Sequence, residues 1–198
     1  MNRLNPRLPL VFDTRELSRR PGAMIEMQRT VPAPNDLGDI DLIAIPPGQP
    51  IELDLRLESV MEGVLVTGSA HATATGACVR CLDPITRHVG GHFQELFAYA
   101  DRAAHHHEVA AEDDDDEAYE LVGDLFDLEP VLRDAMVPAM PFQPVCRSDC
   151  PGLCSECGMH LAEDPTHHHD QLDPRWAALQ KFATPQITSP PSNQEKRN

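Results

Sequence analysis

The sequence predicts an α+β fold that is mainly antiparallel β, with few short helices and a cysteine-rich C-terminal segment. The clearest observation is "IELDLRLESV", in which apolar and charged residues alternate from 51 to 58. This period of two is typical of a half-buried strand. "MEG" then supplies a turn with Gly63, and "VLVTGSAHATATGA" continues as a second strand. Together they predict a β-hairpin whose far end presents Cys78 and Cys81 in "CVRC".

Shorter strand signals flank this hairpin. "LPLVFDT" at 8–14 and "MIEMQRTV" at 24–31 predict two strands before it, and a short apolar island follows at 40–45. After the hairpin, the run from Ile85 through "HVGGHFQELFAYA" is strand-like, although its large apolar side chains also fit one face of a helix. The sequence alone leaves both structures open for this run.

Two short helices are predicted in the C-terminal half. In "FDLEPVLRDAMVPAMP", Asp127 can cap a helix and Pro130 fits its first turn. The apolar stripe of this helix is Val131, Leu132, Ala135 and Met136. In "DPRWAALQKF", Asp173 is a suitable N-cap and Pro174 fits the first helical position. Trp176 is expected to dock this second helix on the core, the alternative being an amphipathic surface for a partner.

Composition divides the chain into four parts. Residues 1–100 form a β-rich N-terminal part, and 101–120 read as an acidic, histidine-rich, disordered insertion. Residues 121–183 hold the predicted helix, the cysteine-rich segment and the C-terminal helix. Residues 184–198 read as a disordered tail.

Charge and apolar patterning narrow the classes of partner. The net charge is −16, and residues 101–130 carry twelve acidic side chains against one arginine. Extensive nucleic-acid binding needs a broad basic face, whereas this chain offers only a basic N-terminal arm of Arg3, Arg7, Arg15, Arg19, Arg20 and Arg29. Pro6 and Pro9 interrupt any signal-peptide core, and no apolar stretch is long enough to span a membrane. These features predict a cytoplasmic protein without a membrane partner.

The sequence offers no motif that is typical of an enzyme. The glycines of "TGSAHATATGA" are too far apart for a phosphate-binding loop, and the run has no lysine. No catalytic triad or carboxylate pair stands out among the 32 acidic residues. We therefore predict a non-enzymatic protein without a small-molecule substrate.

The six cysteines point to metal binding. Their spacing is C-x2-C in "CVRC" and C-x3-C-x3-C-x2-C in "CRSDCPGLCSEC". In a reducing cytoplasm, clustered cysteines bind metal more often than they form disulfides. A C-x2-C turn directs two sulfurs into one tetrahedral site, which is the arrangement of a zinc knuckle. The C-terminal segment is therefore predicted to be of the zinc-knuckle type, with one or two structural Zn²⁺ ions.

Two ligand pairings remain open. The pair in "CVRC" can join Cys154 and Cys157, which leaves Cys146 and Cys150 unused. Alternatively, it joins Cys146 and Cys150, and the later pair uses histidines of "EDPTHHHD". The second pairing is slightly preferred because it uses every thiol. The candidate metal ligands are Cys78, Cys81, Cys146, Cys150, Cys154, Cys157, His167 and His169.

A thiol-based redox function is the main alternative for these cysteines. A thioredoxin-like C-x-x-C pair normally opens a helix after a strand in a βαβ unit. Here a long antiparallel hairpin precedes "CVRC", and Pro84 follows it. A thiol-based redox or metal-binding protein is therefore the alternative hypothesis for the function.

Several segments in one order resemble a known family. "CVRCL", "DLEPVLRDAMVPAMP", "CRSDCPGLCSECG" and "DPRWAALQKF" are similar to the YceD family, the large ribosomal RNA subunit accumulation proteins, and the resemblance covers about residues 8–182. It implies a cytoplasmic, non-enzymatic factor in accumulation, processing or stability of large-subunit (23S) ribosomal RNA, and so a role in ribosome biogenesis. Family members often carry a further cysteine pair after "CG", where this chain has "HLAEDPTHHHDQ".

The resemblance and the charge together suggest a class of partner. Ribosomal proteins are basic and would complement an acidic surface. Ribosomal proteins or assembly factors are therefore the expected partners, with a limited ribosomal RNA contact from the N-terminal arginines.

Overall fold

The computed structural model describes residues 4–39, 42–100, 102, 119–169 and 175. Every pairing between the named strands is antiparallel, which confirms the mainly antiparallel β fold. The elements are β1 (Val11–Asp13), β2 (Met24–Pro32), β3 (Leu37–Asp39), β4 (Ile43–Ile45), β5 (Pro50–Ser59), β6 (Gly63–Ala77), β7 (Pro84–Ala98), β8 (Leu125–Asp127) and helix α1 (Glu129–Met136).

Strand β6 is the centre of the larger sheet. Strand β7 pairs with it along its whole length on one side. On the other side, β5 pairs with residues 64–71 of β6, and the short β4 pairs only with Thr75 and Gly76. β2 lies outside β5 and β3 lies outside β4, while β1 and β8 form a separate two-stranded sheet.

The predicted β5–β6 hairpin is present, and its alternation sets the core. Ile51, Leu53, Leu55 and Leu57 are at most 3% exposed, whereas the charged residues between them are exposed or half-buried. Across the turn, the Val60 amide donates to the Gly63 carbonyl at 2.9 Å. One face of the sheet is therefore apolar and covered, and the other carries polar side chains.

Strand β7 is a strand throughout, which resolves the ambiguity that the sequence left open. All fifteen of its residues pair with β6. Helix α1 lies across this strand, and a Cβ on Gly91 would come within 2.6 Å of the Ala135 carbonyl oxygen. The glycine thus permits the close approach of helix to sheet.

Helix α1 begins one residue later than an Asp127 cap would place it. Its N-cap residue is Leu128, whose side chain makes no capping hydrogen bond, and Pro130 lies in the first turn. The Asp127 carboxylate still accepts a hydrogen bond from the Glu129 amide at 2.9 Å. The prediction of Asp127 as the cap residue is corrected, because β8 extends through that position. The predicted apolar stripe faces the core through Val131, Leu132 and Met136.

Some predictions lie outside the described residues. These include the acidic run at 103–118 and, apart from Arg175, the helix expected in "DPRWAALQKF". Within the part of the chain that is described, no helix is long and apolar enough to cross a membrane.

Candidate metal centre

Four thiols meet at the tip of the β6–β7 hairpin. The sulfur atoms of Cys78, Cys81, Cys146 and Cys150, here called the four-thiol cluster, all lie within 4.8 Å of one another. The Sγ atoms of Cys78 and Cys150 are 3.9 Å apart, and those of Cys81 and Cys146 are 3.7 Å apart. All four are free thiols, and three of them are buried.

The hairpin tip is a tight turn that directs its two sulfurs inward. The Leu82 amide donates to the Cys78 carbonyl and the Cys78 amide to the Asp83 carbonyl, both at 2.8 Å. Leu82 has φ of +62°, a left-handed conformation that costs a non-glycine residue on the order of 1 kcal/mol. This turn brings the two sulfurs of "CVRC" within 4.8 Å of each other.

Hydrogen bonds to the backbone hold the second cysteine segment against this tip. The Val79 amide donates to the Pro144 carbonyl at 2.9 Å. The Arg80 guanidinium donates to the carbonyls of Ser148 at 3.2 Å and Cys150 at 3.0 Å. Strand β7 adds Arg87, which donates to the carbonyls of Val145 and Cys146. Two arginines therefore position the cysteine ligands, although neither arginine is itself a metal ligand.

The electrostatics of the four-thiol cluster favour one thiolate over its neighbours. Burial raises the pKa of Cys78, but the amides of Cys146, Cys81 and Arg80 that face its sulfur outweigh burial and lower the pKa to about 6. The neighbouring thiol of Cys150, together with burial, raises the pKa of Cys146. Crowded thiols resist losing several protons at once unless a cation compensates the charge.

A second group of donors lies further along the same segment. Cys154, Cys157, His167 and His169, here called the Cys2His2 cluster, also have their ligand atoms within 4.8 Å of one another. The Cys157 Sγ is 3.2 Å from His167 Nε2 and 3.3 Å from His169 Nε2, and the two Nε2 atoms are 2.9 Å apart. Cys157 and His169 are exposed.

Local turns build this second cluster. The Cys154 amide donates to the Met159 carbonyl at 2.8 Å, and the Gly158 amide to the Cys154 carbonyl at 2.9 Å. Gly158 has φ of +73°, which favours glycine after a C-x2-C pair. The amides of Cys157 and Glu156 that face the sulfur lower the pKa of Cys154 to about 6.

The structure groups the predicted residues as the second pairing does. "CVRC" lies with Cys146 and Cys150, and the later cysteine pair lies with His167 and His169. His160 instead forms an isolated β-bridge with Leu153 and belongs to neither cluster. The sequence did not predict the positioning roles of Arg80 and Arg87. The only indication of these roles in the sequence is that Arg80 lies within "CVRC" and Arg87 lies shortly after it.

The donor sets fit a tetrahedral ion to different degrees. Metal–sulfur bonds of about 2.3 Å place the sulfurs of a tetrahedral site about 3.8 Å apart, close to the 3.7 and 3.9 Å observed in the four-thiol cluster. For sulfur and imidazole nitrogen the expected separations are about 3.5 Å, and about 3.3 Å for two nitrogens. The Cys2His2 distances of 3.2, 3.3 and 2.9 Å are shorter. Both clusters can hold a metal, and the four-thiol cluster has the closer fit.

The fold and these clusters define a mainly antiparallel β protein with two candidate metal sites, and comparison with known proteins specifies its family. The sequence model of the family described as "Large ribosomal RNA subunit accumulation protein YceD" matches residues 66–183. The chain belongs to this family. Membership implies a role in ribosomal RNA accumulation.

Similar curated proteins come from mycobacteria. The uncharacterized protein Rv2926c of Mycobacterium tuberculosis (strain ATCC 25618 / H37Rv) is 47% identical over 178 residues, which cover 90% of this chain and 83% of that protein. The uncharacterized protein ML1660 of Mycobacterium leprae (strain TN) is 44% identical over 179 residues, covering 90% and 80%. No solved structure matches the chain.

Proposed function

We propose that the chain is a non-enzymatic, cytoplasmic factor in the accumulation of large-subunit (23S) ribosomal RNA, and that the four-thiol cluster holds a structural Zn²⁺. The family match over residues 66–183 carries this proposal. That range begins within β6 and includes both cysteine clusters. The part of the chain that defines the family is therefore the part that the metal would organise.

The donor set supports a structural ion over a catalytic one. Four thiolates complete the tetrahedron of a zinc ion, whereas catalytic zinc keeps a position open for water or substrate. Three of the thiols are buried, so neither water nor a substrate has ready access. Such an ion would join segments that lie 65 and 72 residues apart in sequence.

The described arginines support a protein partner over extensive RNA binding. Many of them already have partners within the chain. Arg19 pairs with Asp124 at 3.0 Å and lies 4.9 Å over the Tyr99 ring. Further ion pairs are Arg15–Asp13, Arg56–Glu58, Arg133–Glu129 and Arg147–Asp149. Arginines that already pair within the chain would neutralise few RNA phosphates and would therefore release few counterions. A basic ribosomal protein or an assembly factor suits this acidic chain better.

Exposed apolar side chains near the four-thiol cluster offer a contact for such a partner. Leu82 is 66% exposed and Phe142 is 88% exposed. Leu82 belongs to the hairpin tip, and Phe142 lies two residues before Pro144, whose carbonyl the tip binds. A metal that fixes the tip would also fix Leu82 in place.

The first experiment measures ribosomes in cells that lack the protein. We expect a deficit of large subunits in sucrose gradients and an accumulation of 23S precursors, both restored by the wild-type chain. A Cys81→Ser, Cys146→Ser variant is expected to restore neither. A gradient and precursor pattern identical to that of wild-type cells would contradict the proposed function.

The second experiment tests the partner class. Wild-type protein should recover ribosomal proteins or assembly factors in a pull-down at low and moderate salt, and Phe142→Glu should reduce this recovery with unchanged zinc content. Val122→Glu, another exposed apolar position, is the matched control. Recovery of ribosomal RNA without protein would instead favour direct RNA binding.

Metal analysis separates this proposal from a redox function. We expect tightly bound zinc and no disulfide in protein purified without a tag. Metal-free protein with a reducible Cys78–Cys81 disulfide would support the thiol-based redox alternative.

A further inference from the structure

We propose that Cys154, Cys157, His167 and His169 form a second Zn²⁺ site that exchanges its ion readily, while the four-thiol cluster retains its own. Glu156 acts as the positioning residue of this second site. The inference rests on the geometry of residues 154–169 and does not depend on the role in ribosomal RNA accumulation.

The second site is local and has a donor set that suits zinc. All four ligands lie within the segment 154–169. Two thiolates and two imidazoles are the set that zinc takes in many structural sites, and softer sulfur ligands disfavour magnesium and calcium. The ligand chemistry therefore favours a divalent ion of intermediate softness, such as Zn²⁺.

Glu156 fixes the tautomer that His169 needs as a ligand. The His169 Nε2 faces the cluster, 3.3 Å from the Cys157 sulfur. Its Nδ1 lies 3.4 Å from a carboxylate oxygen of Glu156. A carboxylate beside Nδ1 favours the proton there and leaves the Nε2 lone pair for the metal. Carboxylates are among the outer-shell partners that metal-binding histidines usually have.

Exposure and spacing both make the second ion easier to exchange. Cys157 and His169 are exposed, whereas Cys78, Cys81 and Cys150 are buried. A chelator can therefore reach the second ion while its ligands are still bound. The second set of ligand atoms must also move apart by about 0.2 to 0.4 Å to hold an ion, given zinc bond lengths. In the four-thiol cluster, the sulfur–sulfur distances of 3.7 and 3.9 Å need no such opening.

The attachment of this segment to the hairpin does not rely on the second ion. The Leu153 amide donates to the Arg80 carbonyl at 3.1 Å, and the Leu161 amide donates to the Gly152 carbonyl at 3.0 Å. Leu153 also packs against the core. Emptying the second site should therefore leave the fold and its melting temperature nearly unchanged.

The test counts zinc and follows its release from the full chain. We expect two zinc ions per chain, released to the chelator 4-(2-pyridylazo)resorcinol in two phases of one ion each. His169→Ala and Cys157→Ser should remove the fast phase and leave one slowly released ion. His168→Ala is the matched control, because its Nδ1 lies 3.0 Å from the Thr166 carbonyl oxygen and it is not a cluster ligand; it should keep both phases.

The role of Glu156 has its own readout. Glu156→Ala should weaken zinc binding at the fast site about 10- to 100-fold, the usual effect of losing an outer-shell partner. Glu156→Gln keeps an oxygen that accepts from Nδ1–H, so it should restore part of the affinity. Unchanged affinity in Glu156→Ala would refute the positioning role.

Cobalt substitution distinguishes the two donor sets. Thiolate-to-cobalt charge transfer grows with the number of thiolates, so His169→Ala should retain the more intense four-thiolate spectrum. A single zinc per chain in the wild type, release of both ions in one phase, or loss of the second ion in His168→Ala would each overturn the second site. These measurements need no ribosomes, so their failure is separate from failure of the proposed function.

Discussion

Replacing Cys81 with serine is the sharpest test of the four-thiol cluster. The thiol of Cys81 is buried, and its sulfur lies 3.7 Å from that of Cys146. Serine keeps the size of the side chain nearly unchanged but is a much poorer zinc ligand than a thiolate. The change should therefore remove the ion and little else.

The expected loss of stability follows from the chain segment that the ion closes. The ligand pairs are 65 and 72 residues apart, and a cross-link over about 70 residues contributes about 4 kcal/mol in the chain-entropy model. The hydrogen bonds from Arg80 and Arg87 remain, so we expect a loss of about 3 to 5 kcal/mol. For a chain of this size that corresponds to a fall in melting temperature of roughly 6 to 20 °C.

The assay is thermal and urea unfolding of the full chain, with and without a chelator. The free energy of unfolding of Cys81→Ser should be lower than that of the wild type by about 3 to 5 kcal/mol. Chelation should then destabilise this variant little further. Cys157→Ser, the same change in the exposed cluster, is the control and should fall by less than about 1 kcal/mol. If Cys81→Ser has the same melting temperature as the wild type, the cluster holds no structural ion. The same conclusion follows if the chelator destabilises this variant as much as it destabilises the wild type.

Three other substitutions or treatments test separate parts of the structure. Gly152→Ala should destabilise by about 1 kcal/mol more than Gly123→Ala, because both have positive φ but only the first Cβ would meet a carbonyl oxygen at 3.0 Å; urea unfolding compares them. The pKa of Cys154 is lowered to about 6, so in chelator-treated protein its thiolate should persist to lower pH than that of an ordinary thiol. The rate of its reaction with iodoacetamide should therefore have its pH midpoint near 6. A midpoint near 8.5 would contradict the assigned environment. Arg87→Lys should destabilise by about 1 kcal/mol, since lysine lacks the planar guanidinium whose Nη2 donates to the carbonyls of Val145 and Cys146 while its Nη1 donates to the Thr86 carbonyl. Arg56→Lys, which changes an exposed ion pair, should have almost no effect on the melting temperature.

The parts of the fold that the sequence predicts are those with local, periodic signals. The alternation of β5 and the turn at Gly63 lie within one short segment, and they define the hairpin. Strand β7 carries large apolar residues whose spacing fits a strand or a helix, and its pairing with β6 decides between them. The pairing of β1 with β8 joins residues over 110 positions apart, and no local pattern specifies such a partner.

The candidate site was predictable in its residue types and less so in its geometry. The spacing identifies cysteine pairs, but "CVRC" can join either half of the later segment with equally good stereochemistry. The choice depends on hydrogen bonds such as that from Arg80 to the Cys150 carbonyl, which exist only once the segments meet. The contact of Glu156 with His169 is equally invisible in the sequence, because an acidic residue is unremarkable in so acidic a chain.

The four-thiol cluster lies beyond the part of β6 that pairs with β5. Near its start, β6 buries Val64 and Val66 against β5, but β5 pairs with it only as far as His71. Beyond that point its inward side chains are Ala72 and Ala74, which bury far less apolar surface than valine. At the same end of the hairpin, Ile43 of β4 and Ile85 and Val89 of β7 are buried in the core, so the apolar burial there comes from neighbouring strands more than from β6. A metal ion coordinated by cysteines at the tip would add a cross-link from this end of the sheet to residues 146–150.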